Sequence, residues 1–489
     1  MSTEMIILIG VAVYIVIMLA IGIYSSGKTH SVAEFAVAGR SMSMWLCTAT
    51  IVATWFGGGV MIGVAGAAYD HGMLGVIADP FGAGVALLLI GLFFVRLIRR
   101  LRLFSFIEIL EQRFGLSAGI ISSVASMVSS LGWVAGMLIA FGVIFETLTG
   151  VPLAFGIIGG AFVVIVYTSI GGMFAVALTD FVQMSIIAIG LVMLLVVVLV
   201  DTGGWAPIAA QLPEGTFRRI PHEHSLDSWL FDLRAWLIFG FADIASQSLL
   251  QRAMSAKSEQ VAQNSFYAAA ISYVGIAMIP VMLGIIASVT MPGLANSESV
   301  VPALALEHLH PVAIAIFVGA LLAAIMSSCD SAILAAATVF GTNILPLVKR
   351  NPSERLQLMV IRLAIPVGGF LAVSFALNAG SVFDTVLDAN VLMLAAVISP
   401  FILGMWWKKA NRAGALAGMS AGVVTWFAFS TFAEGLPADL LGFGSCLLVM
   451  LVVTPLTQEI DPPRGLVDHE GNEVKFENRL GIMRSRAGE

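Results

Sequence analysis

The sequence predicts an all-helical membrane protein of about thirteen spans, built as an inverted repeat of two five-helix units with broken first helices. Three observations carry this reading. Hydrophobic residues make up 59% of the 489-residue chain and charged residues only 11%, whereas a soluble domain carries about 25% charged residues. Apolar runs of the ~20 residues needed to cross a ~30 Å hydrocarbon core recur along its length. Two of those runs, five spans apart, are interrupted by glycine at corresponding places.

The runs begin near residues 5, 43, 74, 118, 153, 174, 229, 259, 311, 355, 381, 412 and 435. None alternates with period two, so the spans are helices rather than barrel strands. The segment 5–24 has no basic flank and no small-residue cleavage site before Ser25; it reads as a retained first helix. Residues 1–42 therefore form an N-terminal helix and a cytoplasmic loop. The first repeat is 43–200, an outer loop follows at 201–228, and the second repeat is 229–406. Two C-terminal helices occupy 407–456 and a cytoplasmic tail 457–489. The breaks lie in "ATWFGGG" (53–59) and "FGFADIASQ" (239–247). Each glycine weakens a helix by about 1 kcal/mol, and paired interruptions point to a binding site between them. Close helix packing is the alternative reason for such glycines.

Lys and Arg gather in one alternate set of connections, including Arg96, Arg99, Arg100, Arg102, Arg252, Lys257, Lys349, Arg350, Lys408 and Lys409, while Arg218 and Arg219 lie in the other set. The positive-inside rule puts the N-terminus outside and the C-terminus in the cytoplasm. The chain has no organelle signal, which fits a multi-pass protein of a bacterial inner membrane.

Ionisable residues within spans are costly and point to function. Asp180, Asp243 and Asp330 are of this kind. In "AAIMSSCDSAIL" (323–334), Ser327, Asp330 and Ser331 fall at i, i+3 and i+4 on one helical face, with Ser328 beside it. Clustered hard oxygens with one anion suit a small hard cation such as Na+. Serines that bond their own i−4 carbonyl are the alternative, and Asp330 is open to a protonated, neutral reading. Asp384 and Asp388, at i and i+4, line a vestibule or a solvated helix end. "HEH" (222–224) and "HLH" (308–310) read as loop histidines. Cys47, Cys329 and Cys446 lie in apolar segments and imply no disulfide framework. No nucleotide, zinc or nucleophile motif is present, so neither an enzyme nor a nucleic-acid partner is expected. A channel and a membrane sensor remain as other classes.

At "GGMFAVALTDFVQM" (171–184) and "AAIMSSCDSAILAAATVFGTNI" (323–344) the chain resembles the sodium:solute symporter family, over about residues 5–456. The resemblance implies a sodium-coupled symporter importing a small organic solute by alternating access. It implies a sodium site at Ala53, Phe56, Ala324, Ser327 and Ser328, and in some members a second at Asp180, Ser327, Asp330 and Ser331. One or two coupling Na+ ions follow, and a monomer is expected to suffice. "ATWFGGG" and "QSLLQR" (247–252) are most similar to the high-affinity choline transporter branch, whose aromatic cage matches Trp55 and Trp133. Ala83 and Ser246 stand where two further cage aromatics are expected. Asp243 adds a carboxylate that can bond N–H groups, as choline's head cannot. The expected substrate is therefore an organic cation or amine, recognised by Trp55, Trp133, Asp243, Ser246 and Gln247. Gln247 is also a pairing partner for Asp243. A small carboxylate, amino acid or neutral solute is the alternative.

Overall fold

Serines start several of the helices by satisfying a free amide of the first turn. Ser258 Oγ accepts Val261 N at 3.2 Å, Ser353 Oγ accepts Leu356 N at 3.3 Å, and Ser381 Oγ accepts Asp384 N at 3.1 Å. The structure is a computed structural model that describes residues 3–26, 31–221, 225–432, 436–468 and 470–474. The "HEH" segment lies outside the described residues, as do Lys28 and the tail arginines beyond 474.

The principal helices, in chain order, are α1 (Thr3–Ser26), α2 (Met44–Trp55), α3 (Ala65–His71), α4 (Ala83–Phe93), α5 (Leu116–Thr149), α6 (Leu153–Gly171), α7 (Met173–Asp201) and α8 (Leu226–Gly240). They continue as α9 (Gln247–Ser255), α10 (Glu259–Thr290), α11 (Pro311–Val339), α12 (Glu354–Ala376), α13 (Val382–Ala389), α14 (Ile398–Trp406), α15 (Arg412–Phe432) and α16 (Ala438–Leu456).

Nine helical stretches among the described residues are long and apolar enough to cross a membrane, fewer than the expected thirteen or so. Part of the difference has a structural cause. α2, at 12 residues, and the α8–α9 pair, at 15 and 9 residues, are pieces of interrupted passes, and α1 and α6 also fall outside the nine.

α11 is the axis of the molecule. The apolar window of 311–348 is 78% buried, against 22% for α12 at the periphery. α11 packs on α1, α5, α7 and α12. Along α12, Leu363, Val367 and Phe370 are exposed, as expected of a helix whose outer face meets hydrocarbon. The chain beyond α16 returns to one face, where Val467 N donates to Gln112 Oε1 at 3.1 Å. That face also carries Arg99, Arg100, Arg102 and Lys257, and is called the arginine-rich face below.

Candidate ion and substrate site

The first break begins at Phe56, which leaves the helix at φ −76°, ψ 68°. Gly57 N consequently donates to Trp55 O at 2.8 Å, and Gly58 N turns to Met137 Sδ at 3.0 Å. In an unbroken helix Gly57 N would bond Ala53 O. Freed of that partner, Ala53 O lies 3.2 Å from both Ser327 Oγ and Ser328 Oγ. Ser327 Oγ is also 2.9 Å from Ala324 O. Glycine is required here by proximity. A Cβ on Gly57 would stand 2.4 Å from Ser328 Oγ, and one on Gly58 2.4 Å from Ala140 Cβ. Ala53, Ala324, Ser327 and Ser328 are thus brought together, and no hydrogen bond among the described residues joins Phe56 to them. They form a wholly buried set of neutral oxygens, a donor set suited to a monovalent hard cation.

One turn further along α11 the chemistry changes. Asp180, Asp330 and Ser331 are fully buried, but they surround a protein cation. Arg252, from α9, donates through Nη2 to Ser331 Oγ and through Nε to Thr50 Oγ1 at 3.3 Å, and Nη2 lies 3.9 Å from Asp180 Oδ2. Thr50 donates in turn to Asp180 Oδ2. Arg252 therefore does not belong to the loop arginines that indicate topology; it is 0% exposed. The second break shortens its pass, so counting residues from the apolar run placed it too far out. Part of the charge expected from a second ion is supplied by this guanidinium. Asp180 Oδ1 and Asp330 Oδ2 remain buried without a hydrogen-bond partner, and two carboxylates facing one guanidinium leave one negative charge over.

The second break spans Phe241 to Ser246, which leave helical geometry at φ −124° and at ψ 119°. Asp243 is 4% exposed there, and Asn390 Nδ2 donates to its Oδ2 at 3.3 Å. Asn390 Oδ1 accepts from Ser129 Oγ at 2.8 Å, which fixes the amide's orientation. Gln247 is not Asp243's partner. Its Oε1 accepts Phe106 N at 3.1 Å and its Nε2 donates to Phe104 O at 3.0 Å, so the amide ties the break to the arginine-rich face. Ser246 Oγ pairs with Ser248 Oγ at 3.0 Å. Trp55 packs edge-on against Tyr273 at 5.9 Å and Trp133 against Phe239 at 6.1 Å. α10 places Tyr273 beside Trp55, and its hydroxyl donates to Asp79 Oδ1 at 2.8 Å.

A separate cleft of about 690 Å³ has Ala78, Ile238, Glu298 and Asp384 on its walls. Asp384 therefore lines a cleft. Asp388, by contrast, lies 3.7 Å from Arg234 Nη2, whose Nε donates to Asp439 Oδ2 at 2.6 Å. His308 Nδ1 meets Asp201 Oδ2 at 3.0 Å, and no group of three or more His, Cys, Asp or Glu residues among the described residues could hold a metal.

Sequence reasoning missed Thr50, Tyr273, Asn390, Asp79 and the role of Arg252. Asp79 stood in "IADPFG", and its acid within an apolar run was the available signal; Asn390 directly follows "DTVLDA". Tyr273 carried no signal, because a lone tyrosine in a long apolar helix reads as packing.

Two broken helices, the first freeing a buried carbonyl to face the hydroxyls of α11, are the pattern of a secondary carrier. The profile of the sodium:solute symporter family matches residues 35–422, and the chain belongs to that family. It is a sodium-coupled symporter of a small organic solute, and not an enzyme. Similar proteins include the high-affinity choline transporter 1 of Drosophila melanogaster, 29% identical over 84% of this chain and 68% of that protein. The sodium/glucose cotransporter of Vibrio parahaemolyticus is 25% identical over 93% of this chain and 91% of its own. In fold, the chain is similar to a Na+-coupled sialic acid symporter in a substrate-bound, outward-open state, with a TM-score of 0.82, 21% identity, and 96% and 99% of the two chains covered.

Proposed function

We propose that this symporter imports a small organic cation bearing N–H groups across a cell membrane, the inner membrane of a bacterium. The N-terminus is outside, the arginine-rich face is cytoplasmic, and one chain is sufficient. The observation that carries the substrate reading is Asp243. Its carboxylate is buried at the second break, receives a neutral amide, and has no ion pair among the described residues. A buried charge without a counter-charge is strongly unfavourable, and a cationic cargo supplies that charge. Trp55 and Trp133 add aromatic faces that attract cations by ~0.5–2 kcal/mol. The relatives named as choline transporters fit the broader class of organic cations, without the N–H groups.

In this reading Na+ binds among Ala53, Phe56, Ala324, Ser327 and Ser328. It replaces the long hydroxyl contacts to Ala53 O and pins the first break to α11. A second monovalent cation fits between Asp180 Oδ1 and Asp330 Oδ2, beside Ser331 and Ser327, with Arg252 limiting the site to a single added charge. Repeats 43–200 and 229–406 then rock about the loaded centre, and loss of the ion contacts on inward opening releases the cargo. One Na+ crossing ~100 mV supplies ~2.3 kcal/mol and a tenfold gradient about 1.4 kcal/mol; two ions supply roughly 7 kcal/mol.

Thermal shift of the purified protein in Na+ against K+, with amines, amino acids, sugars and short carboxylates, tests the proposal. Stabilisation by an amine that requires Na+ and is lost in Asp243→Asn is the expected result. Stabilisation by a carboxylate or sugar alone would overturn the cation reading.

A further inference from the structure

We infer that Asp79 is a second substrate carboxylate and that the cargo is a dication, a short diamine or aminoalkyl-guanidine whose two charged ends are met by Asp79 and Asp243. This rests on the cation reading of the chamber given above.

The backbone brings the two acids together. Gly82 and Gly240 approach so closely that a Cβ on Gly82 would lie 3.5 Å from Gly240 N, and one on Gly240 would lie 3.6 Å from Gly82 O. Asp79 stands three residues before this contact and Asp243 three residues after it. Asp79 is itself extended, at φ −142°, ψ 123°, within the turn that opens this pass. Both side chains are 4% exposed. Tyr273 joins Asp79 to the aromatic wall, since its ring also meets Phe56 edge-on at 6.1 Å. Asn390 holds Asp243 on the far side.

Both acids thus receive one neutral donor each, Asp79 a phenol and Asp243 an amide. Neither has an ion pair among the described residues. A monocation bound here leaves one buried carboxylate without a counter-charge. A dication neutralises both, and its N–H groups use the acceptor positions that Tyr273 and Asn390 leave free. A quaternary ammonium satisfies the aromatic rings but donates to neither acid.

The test uses the full-length wild-type protein in Na+, titrated by thermal shift with 1,3-diaminopropane, 1,4-diaminobutane, 4-aminobutylguanidine, butylamine and choline, with Na+-driven uptake into proteoliposomes for those that bind. At least one dication is expected to bind about tenfold more tightly than butylamine or choline, the factor a charge-assisted hydrogen bond supplies. The affinity should also depend on chain length. Asp79→Asn is expected to bring 1,4-diaminobutane to within about twofold of butylamine, because only one charged end is then met. Butylamine or choline binding as tightly as every dication in the wild type would overturn the dication and leave the organic-cation reading standing. Binding of only carboxylates or neutral solutes would overturn both. The wild-type series decides the matter even if Asp79→Asn does not fold.

Discussion

Two pairs of buried carboxylates can be compared among the described residues, and their surroundings differ in kind. Asp180 and Asp330 face Arg252, a guanidinium with no exposure of its own. Among the described residues, the side-chain partners of Asp79 and Asp243 are a phenol and an amide. The first pair carries half of its counter-charge within the fold, at the junction of α2, α9 and α11. The second leaves its counter-charge to be brought from outside. A carrier requires this contrast, because a cargo site that is satisfied when empty has no reason to bind.

The sharpest way to break the comparison is to remove the internal cation. Arg252→Met leaves Asp180 and Asp330 buried without it, and is expected to destabilise the protein by about 3–5 kcal/mol; thermal unfolding in detergent reads this. If Arg252→Met melts with the wild type, the first pair is as open as the second.

Next comes the proposed ion site at Ala53, Ser327 and Ser328. Ser327→Ala removes one hydroxyl from Ala53 O, and a bond to a charged group is worth about 1.5–3 kcal/mol. The expected outcome is a more than tenfold rise in the Na+ concentration that half-stabilises the protein, with little change in melting temperature in K+. Equal losses in both salts would make the serine structural.

Gly57→Ala tests whether the break itself needs close approach. Its methyl would lie 2.4 Å from Ser328 Oγ, so a loss of about 1–3 kcal/mol and weakened Na+ stabilisation are expected, both visible in the same melts.

The smallest effect concerns the outer rim, away from both pairs. Glu298 accepts Val382 N at 3.1 Å and Phe383 N at 3.0 Å, capping α13. Burial raises its pKa from 4.5; the two amides oppose the rise, and Asp384 and Asp70 add to it. The folded protein therefore holds this proton more tightly than the unfolded chain. Stability from this group is full below about 4.5 and falls as pH climbs through the raised value. Glu298→Gln should flatten that part of the stability-against-pH curve, and an unchanged slope would assign it to other acids.

Much of this was legible in the residue order. The apolar runs, the glycine breaks at 57–59 and near 240, and the i, i+3, i+4 face of Ser327, Asp330 and Ser331 are local patterns with local causes. Hydropathy follows from immersion in lipid, and glycine spacing follows from helix propensity. They determine the membrane class, the broken helices and the oxygen-rich face of α11. What only the tertiary structure decided are the partnerships between distant segments: Ser327 with the freed Ala53 carbonyl, Arg252 between Asp180 and Ser331, Gln247 on the Phe104–Phe106 backbone, and Tyr273 beside Asp79. Each joins residues tens to hundreds of positions apart. Their geometry is set by how helices pack around α11, and no periodicity along a single helix encodes which charge will face which.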